Sequence, residues 1–136
     1  LHTAYRRQRQ MCIRDRIYAL SLYKKFQEKG KKMIIYNTTF HIHKDIVDEC
    51  LEYLKNSYIP KASESGILYS PYLRRILDSR NEEGESFSVQ FYTRDIDSLN
   101  EWVRKEGGAL QQDLIGRYKE KIAGFSTLLE DIELPK

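Results

Sequence analysis

Cysteine, proline and glycine are scarce in this chain, and no long apolar run is present. The 136 residues include two cysteines, three prolines and seven glycines. Cys12 lies in an unusual N-terminal stretch, so Cys50 is the one cysteine left for the domain, which excludes a disulfide framework. No apolar stretch approaches the roughly 18 residues of a membrane span, and no secretion signal is recognisable. We therefore expect a soluble, cytoplasmic protein that does not associate with membranes.

The first 32 residues differ in character from the rest of the chain. Residues 6–16, RRQRQMCIRDR, can be back-translated without a gap into a string that resembles a transposon-based sequencing adapter, and residues 1–5 fit the same adapter. We interpret residues 1–16 as translated adapter and residues 17–32 as translated sequence upstream of a native start at Met33. The alternative is a genuine basic N-terminal arm. We expect a disordered or irregular leader, 1–32, followed by a single domain, 33–136.

Removing this leader reverses the sign of the net charge. The whole chain has a formal charge of +3, whereas residues 33–136 contain 13 basic and 18 acidic side chains, a charge of −5. Affinity for nucleic acid comes mainly from Lys and Arg that neutralise phosphates, so we expect no nucleic-acid partner. A domain of this length has only a modest core, and such domains often gain stability as oligomers. We therefore expect a homodimer.

Four segments of the domain predict strands. Residues 33–42 alternate between apolar and polar side chains at period two, which is typical of a half-buried strand. Residues 72–78 and 86–93 flank a polar loop that contains glycine, and they predict a hairpin. Residues 122–134 predict the fourth strand.

Two amphipathic helices alternate with these strands. Residues 46–58 repeat apolar side chains at spacings of three and four, and this helix should kink or restart at Pro60. The second helix starts from an aspartate cap at position 95 or 97. Its apolar stripe continues across the pair Gly107–Gly108, where the first glycine would permit a close approach of helix to sheet.

The order strand, helix, two strands, helix, strand predicts the fold class. With right-handed crossovers it forms a four-stranded antiparallel sheet with both helices on one face. The first and third strands are then adjacent and central. We therefore predict an α+β domain of the ferredoxin-like βαββαβ type.

The face of this sheet without helices is the one surface with site-like chemistry. Two such sheets packed face to face would enclose a space, and ligand pockets favour enclosed places with a few polar groups. Arg74 and Arg75 point to opposite faces, so one of the two can reach this face and bind an anion. The alternative is a solvated or dimer-packing face. The candidate ligand-lining residues are Asn37, Thr39, His41, Arg74, Ser88, Gln90 and Tyr92.

Few residues of the domain could hold a metal or act as a nucleophile. His41 and His43 point the same way on one strand, but zinc needs three or four ligands and the domain has no third histidine. His41 could instead act as a general base. Cys50 lies on the apolar stripe of the first helix, where a thiol behaves as a small buried hydrophobe. We predict no metal and no cofactor, and the catalytic residues are unknown.

RNA-recognition domains share this element order, and they display aromatic rings on the third strand for base stacking. Here Phe87 and Phe91 fall on the core side of that strand, whereas Ser88 and Gln90 occupy the positions where rings would be needed. The pattern therefore argues against RNA binding.

Three segments together carry a family resemblance: MIIYNTTFHI at 33–42, YIPKA followed two residues later by SG at 58–66, and the long segment 99–132. They resemble the domain-of-unknown-function family numbered forty-two eighty-six, over nearly all of residues 33–134. The resemblance implies a small stand-alone bacterial protein with a fold of the dimeric α+β barrel type. It implies no activity, because no catalytic or binding residue of the family can be carried over.

Two hypotheses about function follow. The first is a non-catalytic homodimeric module that binds a small ligand or another protein. The alternative is a cofactor-free enzyme of the dimeric α+β barrel type, monooxygenase- or isomerase-like, in which His41, Asn37, Gln90 and Tyr92 polarise a small organic molecule. The alternative rests on fold analogy, which is a weak guide to function.

Overall fold

The computed structural model describes residues 33–135, so the interpretation of the leader, residues 1–32, lies outside the described residues. Four strands of this part of the chain form one antiparallel sheet in the order β2-β3-β1-β4. They are β1 (Ile34–His43), β2 (Tyr69–Arg75), β3 (Gly84–Thr93) and β4 (Ile122–Glu130). β1 pairs with both β3 and β4 at the centre of the sheet.

Two helical regions connect the strands as crossovers. The first, α1, comprises Val47–Tyr53, a π turn at Leu54–Tyr58, and Ile59–Ala62. The second, α2, comprises Ile96–Trp102, a π turn at Val103–Gly107, and Gly108–Tyr118. Short 3₁₀ turns occupy Lys44–Ile46, Leu77–Ser79 and Lys119–Lys121. The predicted ferredoxin-like βαββαβ fold is therefore confirmed.

The π turn of α1 follows from the spacing of its buried residues. Cys50, Leu54, Tyr58 and Ala62 are buried and recur every four residues. An α-helix has 3.6 residues per turn, so a stripe at this spacing would drift away from the sheet. A π turn has more residues per turn and brings the stripe back to the core. The helix restart expected at Pro60 corresponds to the end of this π turn, because regular α-helix resumes at Ile59.

Asp95 caps the start of α2. Its Oδ1 accepts a hydrogen bond from the backbone N–H of Ser98 at 2.8 Å. This bond stabilises the ionised carboxylate and lowers the pKa of Asp95 from its ordinary value. The cap fixes the point at which the chain leaves β3 and turns back over the sheet.

The helices and the sheet meet at Trp102, which is fully buried. Its Nε1 donates a hydrogen bond to the carbonyl oxygen of Ala62 at the end of α1, at 2.9 Å. The indole ring also meets the ring of Tyr36 from β1 edge-on, with centroids 5.7 Å apart. The core of the domain therefore lies on this side of the sheet, beneath both helical regions.

Gly107 makes room for that indole. A Cβ added to Gly107 would lie 2.5 Å from Cζ3 of Trp102, which is too close for any real contact. The close approach expected at Gly107 therefore occurs, but with a side chain five residues earlier in α2 and not with the sheet. A Cβ added to Gly108 would meet nothing nearer than the Val103 carbonyl oxygen, at 3.8 Å.

The predicted bounds of two strands were wrong. β2 begins at Tyr69 and ends at Arg75, whereas residues 72–78 were expected, because a bulge between Tyr69 and Tyr72 breaks the period-two pattern. Ser70 has a positive φ of 50° at this bulge, and Pro71 is tolerated because β2 is an edge strand. β4 ends at Glu130 and does not extend to residue 134.

Gly107→Ala should lower the free energy of unfolding by about 1–3 kcal/mol, because the fully buried indole of Trp102 has no room to move away from the added methyl group. Gly108→Ala is the matched control, and it should raise the free energy of unfolding by up to about 1 kcal/mol through helix propensity. Urea unfolding followed by circular dichroism measures both. Equal changes in the two variants would contradict the packing described for Trp102.

Candidate functional site

One face of the sheet carries no helix. Residues directly opposite one another in antiparallel strands point to the same side, so the strand register identifies the side chains of this face. All seven candidate residues lie on it, so the structure brings them together. We call this surface the open face, and it consists of Ile35, Asn37, Thr39 and His41 of β1, Ser86, Ser88, Gln90 and Tyr92 of β3, Tyr69, Tyr72 and Arg74 of β2, and Phe125, Thr127 and Leu129 of β4.

Asn37 lies at the centre of the open face and is only 8% exposed, although no helix covers it. Its Nδ2 donates to Oγ1 of Thr39 at 3.3 Å and to Oγ1 of Thr127 at 3.1 Å. Its Oδ1 accepts a hydrogen bond from Oγ of Ser88 at 2.5 Å. One carboxamide thus ties three strands together and forms a rigid, uncharged polar floor.

His41 lies beside this floor and is half-buried. Its Nδ1 is 2.8 Å from Oγ of Ser86, on the neighbouring strand. Burial lowers the pKa of His41 below its ordinary value of 6.5, an effect that the charge of Glu83 partly offsets and that of His43 reinforces. The imidazole is therefore mainly neutral near pH 7, a form in which one ring nitrogen donates a hydrogen bond and the other accepts one.

His43 is engaged at the end of β1, where its Nδ1 accepts a hydrogen bond from the backbone N–H of Asp45 at 3.1 Å. Within residues 33–135, no group of three or more His, Cys, Asp or Glu side chains is arranged to hold a metal ion. Cys50 is fully buried, as expected, and burial raises the pKa of its thiol to about 12. This thiol is therefore not a nucleophile at neutral pH.

Arg74 reaches the open face, whereas Arg75 does not. Nη1 of Arg74 donates to Oε1 of Gln90 at 3.0 Å, and the guanidinium lies 4.2 Å from the centre of the Tyr72 ring. Arg75 points to the opposite side, where its Nε lies 3.2 Å from Oε1 of Glu85. Arg74 is the one formally charged side chain among the residues of the open face, and no carboxylate lies among them.

Aromatic rings border the polar centre, and three of them were not among the residues predicted for this face. Tyr69 stacks on Tyr92 with centroids 6.3 Å apart, Tyr72 is 47% exposed, and Phe125 is half-buried. Tyr69 and Tyr72 share the open face because the bulge between them inserts one extra residue. Pro71 within a strand pattern was the signal that could have located this bulge.

A family model described as a domain of unknown function (DUF4286) matches residues 33–132, which confirms the family resemblance. A search of curated proteins finds no match.

Two solved structures are similar in fold. An ethyl tert-butyl ether d (EthD) family protein from Bacillus halodurans c-125 is 17% identical, with a TM-score of 0.57 over 73% of this chain and 99% of that chain. A dimeric ferredoxin-like protein from an uncultured marine organism is 10% identical, with a TM-score of 0.50 over 78% of this chain and 100% of that chain. At these identities the likeness concerns the fold alone.

The lowered pKa of His41 predicts a pH dependence of stability. Because the folded state disfavours the imidazolium, the unfolded chain takes up this proton first as the pH falls. The stability contributed by His41 is thus present above pH 6.5 and is lost as the pH falls through the folded-state pKa. His41→Gln retains a hydrogen-bonding group for Ser86 but does not titrate.

We expect the free energy of unfolding to fall more steeply in the wild type than in His41→Gln between about pH 7.5 and pH 5. Urea unfolding at a series of pH values measures this difference. Parallel profiles for the two proteins would show that His41 is not desolvated on the open face.

Proposed function

We propose that this chain, which belongs to the DUF4286 family, acts as a homodimeric module that binds a small anionic ligand between the open faces of two copies. The observation that carries the proposal is the combination of a rigid, uncharged polar floor around Asn37 with one cation, Arg74, that forms no ion pair with any residue of 33–135. Such a pairing of fixed hydrogen-bonding groups and a single charge is typical of a ligand site.

The exposed apolar groups of the open face support the dimer. Tyr72 and Leu129 are 47% and 42% exposed, and both lie on edge strands at the margins of this face. Packing two open faces together would remove these groups from water, which is the dominant favourable contribution to association. A protein described as dimeric and ferredoxin-like shares this fold, although its 10% identity limits the comparison to the fold.

The charge distribution supports an anionic ligand. Residues 33–136 have a net charge of −5, yet the open face contains Arg74 and no carboxylate. Gln90 and the ring of Tyr72 hold the guanidinium in place, which reduces the entropy that its immobilisation on a ligand would cost. A planar guanidinium binds a carboxylate or a phosphate through two parallel hydrogen bonds. The tyrosine rings would contact an apolar part of the same molecule.

The oligomeric state can be measured directly by native mass spectrometry of the full chain. We expect a species of twice the 16.2 kDa chain mass. A chain that remains monomeric at micromolar concentration would contradict the proposed dimer.

Binding of an anion can be tested with benzoate as the probe and benzamide as its uncharged counterpart. We expect benzoate to bind about tenfold or more tightly than benzamide, because a charge-assisted pair with Arg74 is worth more than a neutral hydrogen bond. Arg74→Gln should remove this preference. Arg75→Gln is the matched control and should retain it, since Arg75 lies on the other face. Isothermal titration calorimetry provides the affinities, and equal losses in both variants would contradict the assignment.

A cofactor-free enzyme is the second candidate, and the environment of His41 favours it. A neutral imidazole within 2.8 Å of a hydroxyl can remove a proton from a substrate held on the Asn37 floor. This role requires open space above His41 in the dimer. A binding or interaction module could instead fill that space with side chains such as Tyr92, so a structure of the dimer separates the two candidates.

A further inference from the structure

Both edges of the sheet are unpaired in the described part of the chain. β2 and β4 form these edges, and unpaired N–H and C=O groups on an edge are a template for another strand. β2 runs antiparallel to β3, and β1 runs antiparallel to both β3 and β4. β2 and β4 therefore run in opposite directions, so β4 of one copy can pair antiparallel with β2 of another.

The strand order allows two symmetric arrangements in which the open faces of two copies pack together. A two-fold axis that is parallel to the strands and lies between two open faces places β4 of each copy beside β2 of the other. A two-fold axis perpendicular to the strands would instead place β2 beside β2 of the other copy, and β4 beside β4 of the other copy. Both arrangements pair all four edges antiparallel and close the two sheets into a barrel without a free edge. The choice between them therefore depends on what lies at the ends of the edge strands.

The segment that follows β4 is apolar and uncovered. Ile132 and Leu134 are 76% and 83% exposed, so no described residue of the same chain covers them. They alternate with Asp131 and Glu133, which makes the segment acidic as well as apolar. Such a segment fits a partner surface that offers an apolar cleft beside a positive charge.

A cleft that combines apolar, hydroxyl and arginine side chains lies at the matching end of the sheet. Leu129 near the end of β4 and Tyr69 at the start of β2 are on the same level, since each aligns with Ile35 across the register. The two-fold parallel to the strands therefore brings the end of β4 of one copy beside the start of β2 of the other. A cleft of about 330 Å³ lies there, lined by Ser65, Gly66, Ile67, Tyr69, Arg94 and Ser98.

We propose that segment 131–135 of each copy crosses to the second copy and inserts Ile132 and Leu134 into this cleft. Ile67 and Tyr69 supply its apolar wall. The Arg94 side chain is 83% exposed and can face Asp131 and Glu133, although Asp95 also lies 3.3 Å from its Nε. This inference rests on the homodimer proposed above and adds the axis and the contacts by which the two copies hold one another.

Disulfide cross-linking of the full chain tests the crossing. In a Cys12→Ser background, Ser65→Cys combined with Ile132→Cys should give a covalent dimer on mild oxidation, seen by non-reducing electrophoresis. Gln112→Cys combined with Ile132→Cys is the control, because Gln112 is exposed on α2, away from the cleft. The proposal predicts at least about a tenfold higher yield of covalent dimer from the first pair. A cross-link within one chain, or equal yields from both pairs, would overturn it.

A second measurement separates failure of this inference from failure of the dimer. Ile132→Ser with Leu134→Ser should raise the dissociation constant of the dimer by about tenfold or more, because two apolar side chains lose their burial. Native mass spectrometry of a dilution series measures the constant. An unchanged constant would overturn the crossing and leave the open-face dimer intact. A wild-type chain that is monomeric throughout the series would overturn both.

Discussion

The rest of the architecture depends on the packing of the buried Trp102 side chain. Its ring fills the space above Tyr36 on β1, and its Nε1 holds the carbonyl oxygen at the end of α1, so one side chain joins the sheet to both helical regions. That arrangement requires a glycine at 107. Because both crossovers are held on the same side, the opposite face of the sheet is left without cover, and it is there that the candidate site lies.

Alternate residues of β1 belong to the core and to the candidate site. Tyr36, Phe40 and Ile42 are buried beneath the helices, while Asn37 and His41 point to the open face. Polar side chains also occur on the helical side, where Thr38 and Ser126 form a buried hydrogen bond of 3.1 Å. Burial of a hydroxyl is tolerated there because its partner satisfies it. Substitutions on β1 can therefore affect the stability of the core and the binding properties of the open face separately, because successive side chains of a strand point to opposite faces.

The pattern of the sequence predicted most of the fold and which side chains of β1 and β3 share the open face. Period-two alternation in β1 and β3 assigned six residues to one face, and the register confirms that they share it. Tyr69 was missed because the bulge at Ser70 and Pro71 changes the phase of β2, and a local pattern does not reveal where an edge strand absorbs an extra residue. The expected contact of Gly107 with the sheet was also wrong, since spacing alone did not show that the indole of Trp102 would pack against the glycine five residues further along its own helix.

Element order, strand faces and the acidic character of the domain follow from the sequence alone, because local periodicity and composition need no knowledge of distant contacts. Tertiary structure decided which of Arg74 and Arg75 reaches the open face, since that choice depends on the pairing of β2 with Ser88 and Phe87. It also decided the hydrogen bonds of Asn37 to two other strands, whose residues lie up to 90 positions away along the chain. Such distances between remote residues arise only when the packing of the helices and the twist of the sheet bring them together.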